Sequence, residues 1–220
     1  MRRPGAGANR RQSGFRGIGA TSASPQTIPG LYSWYRADQL VTLAGSNVSA
    51  WGDITGAGRS LTQGTAGARP TFVASNALLN KHPSLSFDGG DSLVGATAAD
   101  WTLLHSGSGM TLAIIAYGDA ADTVYAYCGT QTTVTSLGFQ IRTNASGSLI
   151  WDIGNGSADI MNQTLASNLD TTPFHATMRY EEGRAGNEYA YSVNDVATTT
   201  GNSAAAPSAS DSRALRSFSA

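Results

Sequence analysis

Three glutamates are the residues of this sequence whose spacing bears most directly on catalysis. A retaining glycosidase needs two carboxyl groups about 5 Å apart, placed across the sugar bond that it cleaves. Glu181 and Glu182 adjoin in sequence, and neighbouring residues of a strand point to opposite faces. Glu188 stands alone on the next predicted strand. This spacing argues against a glycosidase, and we predict that the chain is not an enzyme.

Two aspartates, Asp88 and Asp91, flank a pair of glycines in the segment SFDGGDSL. Such a loop could bind calcium through carboxylate and carbonyl oxygens, but a third carboxylate is missing nearby in sequence. A tight turn, with Asp88 accepting a hydrogen bond from the backbone, is the preferred interpretation. The three histidines lack the spacing of metal ligands. We predict no cofactor, with calcium at these aspartates as the open alternative.

Recognition of sugars is a further possibility, since aromatic rings can stack on a sugar and polar side chains can bind its hydroxyls. Tyr125 and Tyr127 are predicted to face away from Val124 and Cys128, which point to the core. Later strands carry further polar residues on their outward faces, namely Gln140, Arg142, Asp152, His175 and Arg179. These residues could converge on one sheet surface as a glycan-binding site. The alternative is an ordinary polar sheet face.

The residues named above are expected to lie on strands or in the turns between them. The apolar side chains recur at a spacing of two, or in short runs cut by Gly, Asn, Asp or Pro, and this pattern predicts β-strands. Only 13% of the residues are charged, and 26 glycines stand against seven prolines, which favours turns over long helices. Alternation predicts a hairpin over residues 137–153, a strand over residues 174–180 and a turn at Asn194-Asp195. The apolar run from Met110 to Tyr117 predicts a central strand buried on both sides. Cys128 is the only cysteine, so we expect a buried structural thiol.

A family resemblance rests on four segments in order, namely WYRAD at residues 34–38, VSAWGD at residues 48–53, RPTF at residues 69–72 and SLSFDGGDSL at residues 84–93. The series resembles the concanavalin A-like lectin/glucanase (laminin-G-like) jelly-roll domains found in bacteriophage tail, fibre and decoration proteins. The resemblance implies an all-β, two-sheet antiparallel jelly-roll sandwich, which we expect over residues 29–196 with extended N-terminal and C-terminal arms. That fold hosts lectins, glycosidases and structural modules, so it does not by itself define an activity.

The N-terminal arm, residues 1–28, is rich in arginine, and the first carboxylate of the chain is Asp38. Five arginines lie within its first sixteen residues, namely Arg2, Arg3, Arg10, Arg11 and Arg16. We expect an anchoring arm whose guanidinium groups bind carboxylates of a neighbouring subunit, or phosphates. A solvated, disordered tail is the alternative.

The C-terminal segment, residues 197–220, is rich in Ser, Ala and Thr and is expected to be an arm or an incomplete closing segment. Jelly rolls of the resembled kind finish with a closing strand and a short helix, and nothing similar follows Phe218. Either the natural chain continues beyond Ala220, or a neighbouring chain supplies the closing strand.

These observations lead to one expected function and two alternatives. We expect a non-enzymatic structural module of the virion, a phage head-decoration, fibre or tail component that binds other virion structural proteins and copies of itself. The alternative is an adhesin that recognises a host or environmental glycan, and a glycoside hydrolase is less favoured. The net charge of −1 gives no general attraction to nucleic acid, apart from the basic arm. No apolar stretch has the length of a membrane span, so no membrane partner is predicted.

Overall fold

The structure is a computed structural model that describes residues 24–118, 126–131, 136–144, 146–167, 169 and 172–219. The chain divides into two units, residues 1–31 and residues 32–220. In the first unit, the described residues hold one 3-10 turn, Pro25–Thr27. Ser24 caps this turn, because its hydroxyl accepts a hydrogen bond from the Gln26 N–H at 3.4 Å.

The second unit is built from short strands. Fifteen lie in its described part: β1 (Val41–Ala44), β2 (Asn47–Trp51), β3 (Leu61–Thr62), β4 (Thr71–Val73), β5 (Ser84–Ser86), β6 (Leu93–Gly95), β7 (Met110–Ala116), β8 (Ala126–Gly129), β9 (Gly138–Thr143), β10 (Leu149–Gly154), β11 (Asp159–Ala166), β12 (Phe174–Tyr180), β13 (Tyr189–Val193), β14 (Thr199–Gly201) and β15 (Arg216–Ser219). The helical segments here are 3-10 turns at Ala66–Ala68, Ala77–Leu79 and Ala99–Leu104. Over the described ranges, no helix has the length and apolarity to cross a bilayer.

The strands form two antiparallel sheets. The large sheet has eleven strands in the order β11-β10-β9-β8-β15-β6-β3-β2-β4-β5, with β1 also paired to β2. The small sheet has the order β14-β13-β12-β7. The prediction of an all-β protein with antiparallel sheets is therefore confirmed.

One hydrophobic core lies between the two sheets. The large sheet contributes Phe139 and Trp151, each with none of its surface exposed, and the small sheet contributes Met178. Tyr127 of β8 packs edge-on against Phe174 of β12, with ring centroids 5.4 Å apart. This aromatic contact joins the sheets directly, and such pairs add to the stabilisation from apolar burial.

Local patterns predicted one hairpin and one turn correctly. β9 and β10 pair in regular antiparallel register from Leu149 opposite Thr143 to Gly154 opposite Gly138. In the turn between them, the Asn144 side-chain oxygen accepts hydrogen bonds from the Ser146 and Ser148 N–H groups. At the predicted turn, Asn194 and Asp195 both adopt a left-handed backbone, with φ of 50° and 60°. Both conformations are those of a type I′ turn, which matches the twist of the strands that it joins.

The expectation that residues 110–117 form a central strand buried on both sides is wrong. β7 lies at the end of the small sheet, and within the described residues it pairs with β12 alone. Its outward residues include Ile115, which is 73% exposed. An apolar run gives the length of a strand but not its place in a sheet, and single apolar side chains are common on protein surfaces.

The C-terminal segment, expected to be an arm or an incomplete closing segment, instead contributes strands to both sheets. β14 pairs with β13 in the small sheet. β15 lies inside the large sheet, where Ser217 pairs with Leu93 of β6 on one side and with Cys128 of β8 on the other. Residues 199–201 and 216–219 therefore lie in strands of the two sheets and not in an extended arm.

A buried histidine forms hydrogen bonds with the segment that leads to β15. His105 has none of its surface exposed. Its Nδ1 lies 3.0 Å from the Ser208 carbonyl oxygen, and its Nε2 lies 3.2 Å from the Ser212 hydroxyl. Because a carbonyl oxygen only accepts, Nδ1 must carry the proton, and Nε2 then accepts from Ser212. Burial lowers the pKa of His105, so the folded protein favours the neutral ring.

We expect the protein to lose stability as the pH falls below about 6.5, the usual pKa of histidine. The folded state binds fewer protons at His105 than the unfolded state does, so the free energy of unfolding decreases on acidification through this range. The measurement is the thermal midpoint between about pH 7.5 and pH 5.5. A His105→Gln variant should show a smaller decrease, whereas His82→Gln, at an exposed position, should match the wild type. Equal pH dependence in all three proteins would contradict this role.

Candidate functional site

Five paired residues, four of them polar, form a row on the face of the large sheet that points away from the core, from β15 through β8, β9 and β10 to β11. Register places Arg216 opposite Gly129, Gly129 opposite Gln140, Gln140 opposite Asp152 and Asp152 opposite Asn162. Residues directly opposite each other in a sheet point to the same face. The alternating residues of these strands, such as Phe139, Ile141, Trp151 and Ile153, lie in the core. We call Arg216, Gly129, Gln140, Asp152 and Asn162 the polar row.

Asp152 lies between Gln140 and Asn162 in the polar row and has none of its surface exposed. The Arg142 Nε–H donates to its Oδ2 at 2.7 Å, and the Asn162 amide donates to its Oδ1 at 2.5 Å. Burial raises the pKa of Asp152, and the neighbouring Arg142 charge acts in the opposite direction. Both carboxylate oxygens are occupied, so Asp152 can position Arg142 and Asn162 but has little capacity left for a ligand.

Arg216 is the β15 member of the polar row, and Arg213 lies three residues before it in the C-terminal segment. Arg213 and Arg216 are both partly exposed. The backbone N–H of Arg213 donates to the carbonyl oxygen of Thr130, which directly follows β8, at 3.3 Å. In the part of the chain that the structure describes, the Nε–H of each arginine is buried without a hydrogen-bond acceptor. Burial and the charge of Arg216 lower the pKa of Arg213.

The structure brings three of the predicted sugar-binding residues together and separates two others from them. Gln140, Arg142 and Asp152 lie on β9 and β10, within the large sheet. His175 and Arg179 lie on β12, which belongs to the small sheet, so the expected convergence on one surface is wrong for them. The His175 Nε2 lies 3.1 Å from Asp195, and the Arg179 guanidinium donates to the Asn187 carbonyl oxygen at 2.9 Å.

The expectation that Tyr127 faces outward is also wrong. Only 2% of its surface is exposed, and its ring packs in the core. The register of β8 shifts between Ala126 and Cys128, so simple alternation does not hold along this strand. Cys128 also packs against the core, and burial raises the pKa of its thiol to about 12. Tyr125 lies outside the described residues.

The two aspartates of the SFDGGDSL segment form a turn. The Gly90 N–H donates to Asp88 Oδ1 at 2.9 Å, and the Asp88 N–H donates to Asp91 Oδ2 at 3.3 Å. Burial raises the pKa of Asp91, whose surface is 7% exposed. A search of the described residues for three or more His, Cys, Asp or Glu side chains placed to hold a metal finds no such group. Calcium at these aspartates stays the alternative to the predicted turn.

The structure brings Glu182 and Glu188 together, a pairing that the sequence analysis did not foresee. The Ser203 hydroxyl lies 2.7 Å from Glu188 Oε2 and 3.3 Å from Glu182 Oε2. The Ser203 N–H also donates to Glu188 Oε2 at 2.7 Å, and these hydrogen bonds lower the pKa of Glu188. Both carboxylates thus accept hydrogen bonds from the segment beside β14 and tie the β12–β13 turn to it.

The arginines expected to anchor the chain, Arg2, Arg3, Arg10, Arg11 and Arg16, lie outside the described residues. Sequence reasoning missed Arg213 and Arg216 because the C-terminal segment was interpreted as an arm. The signal that could have found Arg216 is its place between Leu215 and Ser217, which alternate with it as core-facing residues. Comparison with known proteins finds no match to this chain among family models, curated proteins or solved structures.

Proposed function

We propose that this chain is a non-enzymatic structural module of a virus particle, a phage head-decoration, fibre or tail component docked through its N-terminal arm. In this proposal the two-sheet body is a jelly-roll sandwich of the concanavalin A-like kind. The observation that carries it is the division of the chain at Leu31. A basic segment without a carboxylate precedes an antiparallel body in which β15 lies between β8 and β6 of the large sheet.

The chemistry of the arm supports docking on an acidic surface. Five guanidinium groups in its first sixteen residues have no carboxylate in the same segment to neutralise them. Guanidinium groups form paired, charge-assisted hydrogen bonds with carboxylates, and these bonds are stronger than those between neutral groups. An acidic surface of a neighbouring subunit would therefore bind the arm.

Replacing the five N-terminal arginines with glutamine should leave the body folded and abolish incorporation into particles. The change keeps the length of the arm and removes the charge that binds a carboxylate. A matched variant with five lysines keeps the charge and should retain part of the incorporation, since lysine lacks the paired geometry. The measurement is the amount of protein in purified particles, with the circular dichroism of the free protein as the folding control. Normal incorporation of the glutamine variant would refute the docking role.

A second candidate function is carbohydrate binding by an adhesin. The polar row favours it, because Gln140 and Asn162 offer amide groups on one sheet face, beside the Arg142–Asp152 ion pair. A glycan array with the wild type and with a Gln140→Ala variant tests this function, and no binding by the wild type would remove it. Release of reducing sugar from the bound glycans would point instead to a glycoside hydrolase.

A further inference from the structure

We propose that Asn155 is a site of spontaneous deamidation, and that its conversion to aspartate or isoaspartate loosens the nearby part of the C-terminal segment. Asn155 lies in the turn between β10 and β11. It is the one asparagine of the sequence that a glycine follows. The inference goes beyond the proposed function, because it does not depend on what the body binds.

The reaction needs water and no other reagent. The backbone nitrogen of Gly156 attacks the side-chain carbonyl carbon of Asn155, Cγ, and a five-membered succinimide ring closes within one molecule. The bond from Cγ to Nδ2 breaks, and ammonia leaves with the proton from the Gly156 nitrogen. Water then opens the ring. If it adds at Cγ the product is aspartate, and if it adds at the Asn155 main-chain carbonyl carbon the product is isoaspartate.

The turn holds the Asn155 side-chain carbonyl group where it is polarised for this attack. Its Oδ1 accepts hydrogen bonds from the Ser157 N–H at 3.0 Å and from the Ala158 N–H at 3.1 Å. Negative charge develops on Oδ1 as the ring closes, and backbone donors already aimed at that oxygen stabilise the charge. The two hydrogen bonds that build the turn therefore also lower the barrier to the reaction.

Gly156 offers an unhindered attacking nitrogen. The residue is exposed, and within the described ranges its N–H forms no hydrogen bond. It has no Cβ atom, and its φ of 92° is a conformation that other residues adopt only with strain. Its nitrogen is therefore accessible to water for loss of the proton, and no side chain of its own blocks the approach to Cγ.

The structural consequence lies in the contact that the Asn155 amide makes. Its Nδ2–H donates to the Ala206 carbonyl oxygen at 3.1 Å. After deamidation a carboxylate oxygen faces that carbonyl oxygen, and neither group has a proton to donate. The backbone hydrogen bond from the Ala204 N–H to the Ile160 carbonyl oxygen, 2.7 Å long, is unchanged by the reaction. Deamidation therefore loosens residues 202–207 without detaching them from β11.

Peptide mapping by mass spectrometry of the full-length protein, after incubation at several pH values, tests the reaction. The rate should rise with pH, because the attacking nitrogen must lose its proton. Asn144 is the internal control: its Oδ1 also accepts from two turn N–H groups, but alanine follows it. We expect Asn155 to be lost about tenfold faster than Asn144, or more, because a methyl group hinders ring closure. Equal rates at the two asparagines would overturn the proposal.

A second comparison isolates the contribution of the folded turn. The same mapping is carried out on the chain unfolded in urea, where the Ser157 and Ala158 N–H groups no longer point at Oδ1. We expect the folded chain to react at least as fast as the unfolded chain. A markedly slower reaction in the folded chain would mean that the turn protects Asn155, which also overturns the proposal.

Asn155→Asp reproduces one of the two products and tests the effect on the C-terminal segment. We expect the unfolding midpoint to fall by about 2 to 4 °C, the effect of losing one hydrogen bond in a domain of this size. Amide hydrogen exchange of residues 202–207 should become faster. The matched control is Ser157→Asp, which adds the same charge at an exposed position of the turn and keeps the Asn155 amide, so its exchange should match the wild type. Unchanged exchange in Asn155→Asp would overturn the proposed loosening.

Discussion

Replacing Ser217 with proline is expected to prevent cooperative folding of the body. Ser217 lies in β15, 5% exposed, and pairs with strands on both of its sides. Proline removes a hydrogen-bond donor and does not fit the interior of a sheet, at a cost of about 3 kcal/mol or more. Small domains have a total stability of only about 5 to 15 kcal/mol, so this loss is severe. Urea unfolding followed by tryptophan fluorescence measures it.

The control for this prediction uses the same position. Ser217→Ala keeps the backbone N–H and removes a side chain whose contact with the Leu93 carbonyl oxygen is long, at 3.5 Å. We expect this variant to unfold cooperatively, close to the wild type. If the proline variant also unfolds with an unchanged midpoint, β15 does not occupy the interior position in solution.

Replacing Asp152 with alanine is the second change with a large expected effect, about 3 to 5 kcal/mol of destabilisation. The substitution leaves the Arg142 guanidinium, whose side chain is 13% exposed, without its carboxylate. It also leaves the Asn162 amide without the acceptor that it now contacts. Removing one partner of a buried pair costs more than the pair contributes, because the remaining charge has lost its compensation.

A double variant separates the cost of leaving one charge unpaired from the net contribution of the Arg142–Asp152 ion pair. In Arg142→Met with Asp152→Leu, no buried charge remains, so we expect a stability much closer to the wild type than that of Asp152→Ala. Burial raises the pKa of Asp152 in spite of the adjacent guanidinium, which fits a pair that is costly to bury. The free energy of unfolding in urea is the measurement for both variants. A double variant as unstable as the single one would assign the loss to packing instead of to the unpaired charge.

Features set by neighbouring residues in the sequence could be predicted. The β9–β10 hairpin follows from alternation and a short polar turn, and its register places Gln140 opposite Asp152. The same alternation places Phe174 and Met178 in the core. These predictions succeed because strand, turn and register all lie within one short segment.

Features set by the order of strands could not be predicted. Alternation indicates that His175 faces outward but does not show that β12 belongs to the small sheet. The register shift in β8 turns Tyr127 into the core against simple alternation. Arg216 meets the polar row because β15 inserts beside β8, far from it in sequence. Such placements depend on pairing between distant segments, and local composition carries little information about them.

The position of β15 has a consequence for synthesis of the protein. In the described strand order, β15 is the link between the half of the large sheet that runs through β6 and the half that runs through β8. Until β15 leaves the ribosome, both halves present open edges that can pair with other chains. Contacts between such distant segments also raise the contact order and slow folding. A nascent or prematurely terminated chain is therefore the form of this protein most exposed to aggregation, and a chaperone that shields strand edges would act at that stage.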